Sequence, residues 1–175
     1  MSEIASVRAD KRAAVLTPIC AHLLNEGLDA ANLRALAKAA GTSDRMLLYY
    51  FSNKDDLIGT ALTRLAEQLS ALLDEQIHCE PQPEEVLTET VWTAVCHPDC
   101  WPFMVLFVEL AVRAHRIGDP FASPAQAIAH HFQTWLADHL AIDDLERRSA
   151  AAERVLTVVD GRVLLRLVQA TAIKK

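Results

Sequence analysis

Apolar residues recur along this chain at the three- and four-residue spacings of helices, and hairpin dipeptides between alternating residues are missing. Val15, Leu16, Ile19, Leu23 and Leu24 mark one face of a first helix, predicted from about Arg8 to Glu26 and stopped by Gly27. Pro18 lacks the N–H that would bond the Ala14 carbonyl, which predicts a kink there. A short second helix, Leu33 to Ala40, takes Asn32 as its N-cap and ends at Gly41. A third covers about Asp44 to Tyr50, capped by Thr42 or Ser43. Ser52-Asn53-Lys54-Asp55 reads as a capping box that opens a long fourth helix. Its stripe of Leu57, Ile58, Leu62, Leu65, Leu69, Leu72, Leu73 and Ile77 runs to about His78.

The segment Cys79-Glu-Pro-Gln-Pro83 breaks the pattern, and Pro83 with Glu84 and Glu85 suits a new helix start. Four further helices are predicted at about 83–96, 99–117, 124–141 and 144–172, with Asp160-Gly161 read as mid-helix. The expected fold is all-α, with eight helices and no strands. Residues 1–53 form a head, and 54–175 a bundle joined to it by the long helix.

Composition narrows the class. The 175 residues are 51% hydrophobic and 23% charged, enough chain to bury a core without a disulfide or metal staple. No apolar stretch approaches the ~18 residues of a membrane span, and Met1-Ser-Glu-Ile-Ala lacks the pattern of a signal peptide. A soluble, cytoplasmic protein with Cys20, Cys79, Cys96 and Cys100 reduced is therefore expected. The net charge of −6 is uneven. Residues 1–60 carry seven basic and seven acidic side chains, whereas 61–175 carry ten and sixteen. The first third can approach a polyanion that the remainder would repel.

Within that neutral third lie two short helices around Gly41. Leu33, Leu36, Ala37 and Ala40 give the first an apolar side; the next carries Leu47, Leu48 and Phe51 among Ser43, Asp44, Arg45, Tyr49 and Tyr50. This is the pattern of a helix-turn-helix, one helix bracing and the next offering polar and basic groups to a major groove. Residues 15–58 also resemble the N-terminal domain of TetR-family transcriptional regulators. The resemblance rests on Val15-Leu16, Gly27, Leu36-Ala37, Ala40-Gly41-Thr42-Ser43, Tyr50-Phe51, Lys54 and Leu57. It implies a homodimer that binds a palindromic double-stranded DNA operator and receives a small-molecule effector in its C-terminal helices. It also implies a DNA face of Asn32, Thr42, Ser43, Arg45, Tyr49, Tyr50 and Lys54. The sequence departs from the family pattern at Pro18 (usually alanine), His22 (leucine), Asn32 (threonine), Arg45 (often glycine) and Leu48 (aromatic).

In the second half, Trp92, Cys96, Trp101, Met104, Phe107 and Trp135 are the expected lining of an apolar pocket between residues 83 and 141. Arg113, His115 and Arg116 could meet an anionic group or simply end a helix. Dimerisation is expected through the last two helices. The faces assigned to it are Ile128, Phe132, Trp135, Leu136 and Leu140, then Leu156, Val159, Val163, Leu164, Leu167 and Val168. Cys96-His97-x-x-Cys100 with His78-Cys79 fits no strong zinc pattern, and Glu75-x-x-His78 lacks a second copy. No metal, cofactor or catalytic residue is predicted. The expected function is a ligand-responsive repressor released by a small apolar or aromatic effector. The other class, a helical-bundle enzyme or metal protein without DNA binding, has no nucleophile–base pair or phosphate loop to support it.

Overall fold

The computed structural model describes residues 2–77 and 80–172, with side chains from 10 to 77 and from 80 to 169. Among the described residues there are eight α-helices and no strand: α1 Ser2–Glu26, α2 Leu33–Ala39, α3 Asp44–Tyr50, α4 Lys54–Gln76, α5 Glu84–Val95, α6 Trp101–Ile117, α7 Ala122–Asp138 and α8 Leu145–Ala172. His78 and Cys79, and with them the weak zinc and Glu-x-x-His patterns, lie outside the described residues. No helix among the described residues is long and apolar enough to cross a membrane.

The expected elements are present, with differences of local chemistry. The first helix begins at Ser2 rather than near Arg8, and runs on through Pro18. Lys11 and Arg12 lie within it. A 3₁₀ turn, Leu28–Ala30, joins α1 to α2. The box opening α4 is displaced by one residue. Asn53, not Ser52, is the N-cap, its side chain accepting from the Asp56 N–H at 2.8 Å, while the Asp56 carboxylate accepts from the Ser52 N–H at 2.8 Å. Gln82 and the chain at Leu140 pair through backbone bonds, the Gln82 N–H to the His139 carbonyl and the Ala141 N–H to the Gln82 carbonyl, both 2.9 Å. This closes the entry to α5 against the end of α7.

Two bodies of packing share α4. In the head, α1 packs on α2 and α4, and α2 on α3, burying Ile19, Leu23, Leu36, Leu47, Phe51, Leu57 and Ile58. Arg12 braces this core: its guanidinium lies 4.8 Å from the Phe51 ring centroid and donates to the Thr60 hydroxyl at 3.1 Å. Beyond the head, α4 continues against α5 and α7, and α8 packs across α5, α6 and α7.

That packing covers part of the dimer face expected from the sequence. Ile128, Leu136 and Leu140 of α7 and its C-terminal end, with Val159 and Val163 of α8, are buried within the single chain. Phe132, Trp135 and Leu156 turn to the same interior. The intrachain neighbours are α4, α6 and α8 for α7, which leaves that stripe nothing to offer a partner. Of the expected face, Leu164 and Val168 of α8 remain exposed, beside Val158 and Leu165.

Among the described residues of the head, two buried polar atoms lack a hydrogen-bond partner, Nε of Arg12 and Nε2 of His22. His22 stands where the family pattern has leucine. An unmade hydrogen bond costs about 1–3 kcal/mol, so His22→Leu should raise the stability of the protein by about 1–2 kcal/mol. Thermal unfolding of the two proteins checks it; an unchanged or lowered midpoint would show that the ring is satisfied.

Candidate nucleic-acid interface and ligand cavity

The helix-turn-helix is built from local chemistry. The Asn32 side chain accepts from the Ala35 N–H at 2.9 Å and starts α2. At its other end Gly41 adopts a φ of +61°, and the Thr42 and Gly41 N–H groups reach back to the carbonyls of Ala37 and Lys38 at 3.0 and 3.1 Å. This Schellman closure needs the left-handed conformation that glycine adopts without strain. Ser43 then caps α3, accepting from the Met46 N–H at 3.3 Å.

In α3 only Leu47 is buried. Arg45 and Tyr49, one turn apart, are exposed together with Ser43 and Leu48, so the outer face of the helix is a mixed basic, hydroxyl and apolar surface. Tyr50 is half-buried and meets the Tyr49 ring edge-on at 5.4 Å. Lys54 is exposed at the start of α4. Among the described residues Arg34, Lys38, Arg45 and Lys54 form no ion pair, which leaves their charge available to an anion. Asn32 and Ser43 both use a side-chain oxygen as a cap, the Ser43 hydroxyl keeping its proton to donate, and Thr42 closes the turn with its backbone. Leu48 belongs to the exposed face although the sequence pattern marked it only as a departure. Its apolar tip suits a thymine methyl group.

The second site is an apolar cavity of about 70 Å³ between α4, α5, α6, α7 and α8. A single water needs only about 10–15 Å³ on this scale, so the space admits a small molecule. Met104, Phe107 and Trp135 line it, as the sequence reading expected. Trp92, Cys96 and Trp101 do not. Their helices present other residues to the cavity, Val91 and Val95 from α5 and Phe103 from α6. Trp92 and Trp101 instead lie against α8, under the guanidinium groups of Arg162 (5.7 Å) and Arg166 (4.1 Å). The sequence reading also missed two walls, α4 with Leu62, Leu65 and Leu69, and α8 with Leu156, Val159 and Asp160. At the Trp135 wall the indole N–H donates to Asp74 at 2.7 Å, and the ring stacks on His139 at 4.1 Å.

Head and cavity are joined by α6. Leu106, Phe107 and Leu110 face the cavity, while Glu109 accepts from the Leu28 N–H of the head at 2.9 Å. Arg113, one turn further, bonds Asp29 and lies over the Phe121 ring rather than offering itself to an anionic ligand. The junction leaves no room for a side chain at position 27: a Cβ on Gly27, whose φ is +75°, would meet the Glu109 carboxylate at 2.8 Å.

Residues 21–61 match the model of a family described as bacterial regulatory proteins, tetR family. Those 41 residues are therefore similar to the N-terminal domain of that family. That stretch holds the helix-turn-helix and the start of α4. The whole fold is similar to that of several solved structures. A transcriptional regulator from Rhodococcus sp. Rha1 is 24% identical, with 92% of this chain and 86% of that one covered and a TM-score of 0.71. FadR from Bacillus subtilis, in complex with stearoyl-CoA, is 13% identical, with coverage of 91% and 88% and a TM-score of 0.63. Salmonella enterica GusR is 17% identical, with coverage of 88% and 82% and a TM-score of 0.62. Comparison with curated proteins gives no match.

Proposed function

We propose that this protein is a ligand-responsive transcriptional repressor of the TetR family. It binds a palindromic operator as a homodimer and leaves it when a small apolar or aromatic effector enters the cavity. The observation that carries the reading is the double contact of α6, which lines the cavity with Leu106, Phe107 and Leu110 and holds the head through Glu109. A ligand that repositions α6 also repositions the α1–α2 junction, and with it α3. The shared helix α4 offers a second route. Two heads must match half-sites about one helical turn apart or a multiple of it, so a few ångströms of displacement ends binding. The effector achieves this only if it binds the off-register state more tightly, typically by 1–3 kcal/mol. FadR, solved with stearoyl-CoA, is a precedent of this fold for an effector with a long apolar part.

On the DNA side, Ser43, Arg45 and Tyr49 read the major groove, and Tyr50 and Lys54 hold phosphates. A gel shift with DNA from upstream of the protein's own gene, with and without a metabolite panel, tests the whole reading; absence of any shift would remove it. Residue roles separate by salt. Lys54→Ala should weaken binding to all sequences about equally and reduce the salt slope by about one per head, because a phosphate contact releases counterions. Arg45→Ala should instead cost about 1–3 kcal/mol at one base step of each half-site. An unchanged slope and affinity in the Lys54 variant would take that residue off the DNA face.

A further inference from the structure

The cavity wall holds one charged side chain. Asp160 of α8 lines it among leucine, valine, phenylalanine and tryptophan side chains. Among the described residues no donor hydrogen-bonds the carboxylate and no cation pairs with it. The neighbouring Arg162 is engaged elsewhere, with Glu89 at 2.6 Å and against the Trp92 ring. Burial alone pushes the carboxyl up to about 6, with no charged neighbour contributing. It is therefore ionised over most of its population at neutral pH, in surroundings that penalise an unpaired charge. Buried charges are ordinarily paired. Asp160 is half-buried, and the cavity it lines is where a ligand would supply that partner.

We infer that the effector carries a cationic, hydrogen-bond-donating head on its apolar body, a lipophilic amine or amidine that places its nitrogen at the Asp160 carboxylate. This rests on the proposed role of the cavity as the effector site and adds to it the charge of the ligand. The apolar side chains supply affinity for the body, and Asp160 supplies the sign. The cavity also presents the rings of Phe103, Phe107, Phe132 and Trp135, whose faces attract a desolvated cation. A carboxylate ligand meets the opposite case: it would bring a second negative charge into an apolar enclosure with no cation on its wall.

The test compares ligands that share a body and differ in charge. Binding of 2-phenylethylamine, 2-phenylethanol and 3-phenylpropanoate, and of decylamine beside 1-decanol, is followed at pH 7.5 by titration of tryptophan fluorescence and by calorimetry. The full-length protein and Asp160→Asn are both used. The expected result is that each amine binds at least ten-fold more tightly than its alcohol, with the carboxylate weakest. In Asp160→Asn amine and alcohol should converge to within about two-fold. Equal binding of amine and alcohol by the unaltered protein overturns the inference and leaves the apolar cavity reading intact. A preference for amines that survives in Asp160→Asn also overturns it. Failure of every probe, of either body, would remove the cavity as an effector site and the inference with it. The comparison within the unaltered protein stands whether or not the variant folds.

Discussion

Val158→Lys combined with Leu165→Lys should turn the protein from a dimer into a monomer and weaken operator binding about 10²–10⁴-fold, the advantage that linking two modest contacts ordinarily confers. The proposed interface is the outward side of α8, where Val158 is 42% exposed, Leu164 51% and Leu165 63%. Val158 and Leu165 are two turns apart on one stripe, with Gly161 between them. A Cβ at Gly161 would meet nothing within 4 Å, so the helix offers a partner a close approach at the centre of its apolar surface. Under a two-fold axis the same stripe on the second copy would cover it, with buried lysines opposing each other. Lysine is chosen because added positive charge favours nonspecific attraction to DNA, so lost binding cannot be assigned to electrostatic repulsion. Both positions are exposed, and helical content and the chain's own packing should persist. Light scattering and anisotropy titration on a two-half-site operator read the outcome. A dimeric mass with affinity within two-fold of the original would remove this face from the assembly.

The head could be read from sequence because its determinants are local. Gly27 and Gly41 occupy the positive-φ positions that end α1 and α2, and the caps at Asn32 and Ser43 form as the residue types predict. Even the displaced box at Asn53 and Asp56 differs by a single residue, since Ser and Asn are equally able caps and tertiary placement decides between them. The cavity was less legible because it depends on rotational phase. Trp92 is large and aromatic, yet Val91 beside it turns inward, since neighbours on a helix point about 100° apart. Aromatic character identified Phe107 and Trp135 correctly, and misplaced Trp101. The expected dimer face mixed covered and exposed residues for a related reason: an apolar stripe does not reveal that Ile128, Leu136, Val159 and Val163 are covered within the chain while Leu164 and Val168 stay exposed. Asp160 gave no sequence signal at all. Its position within α8 was clear, but its burial arises from helices distant in sequence.

Stability should fall as pH rises through the range in which Asp160 ionises, and Asp160→Asn should abolish that fall. The carboxyl titrates at about 6 in the folded protein, raised by burial from 3.8. The folded state thus holds this proton more tightly than the unfolded chain does. Below 3.8 both states are protonated and the group has no differential effect. Between 3.8 and about 6 the unfolded chain ionises first, and stability is progressively lost; above about 6 the loss is complete. Its full size is about 3 kcal/mol, of which roughly half falls between pH 5 and 7.5. Asparagine keeps the shape and a buried amide whose cost does not vary with pH, so the difference between variant and parent isolates the ionisation. Urea unfolding at pH 5 and 7.5 should therefore show the variant gaining about 1.4 kcal/mol relative to the parent between the two conditions, a few degrees in Tm for a chain of this length. A constant difference across that interval would mean that the carboxylate is already solvated or paired. In that case the cavity would hold no uncompensated charge for a ligand to neutralise. The same substitution thus separates two properties: at neutral pH it should make the empty protein more stable while removing its preference for cations. A residue that lowers stability in the empty state and confers selectivity in the occupied one is what a ligand-binding position should look like.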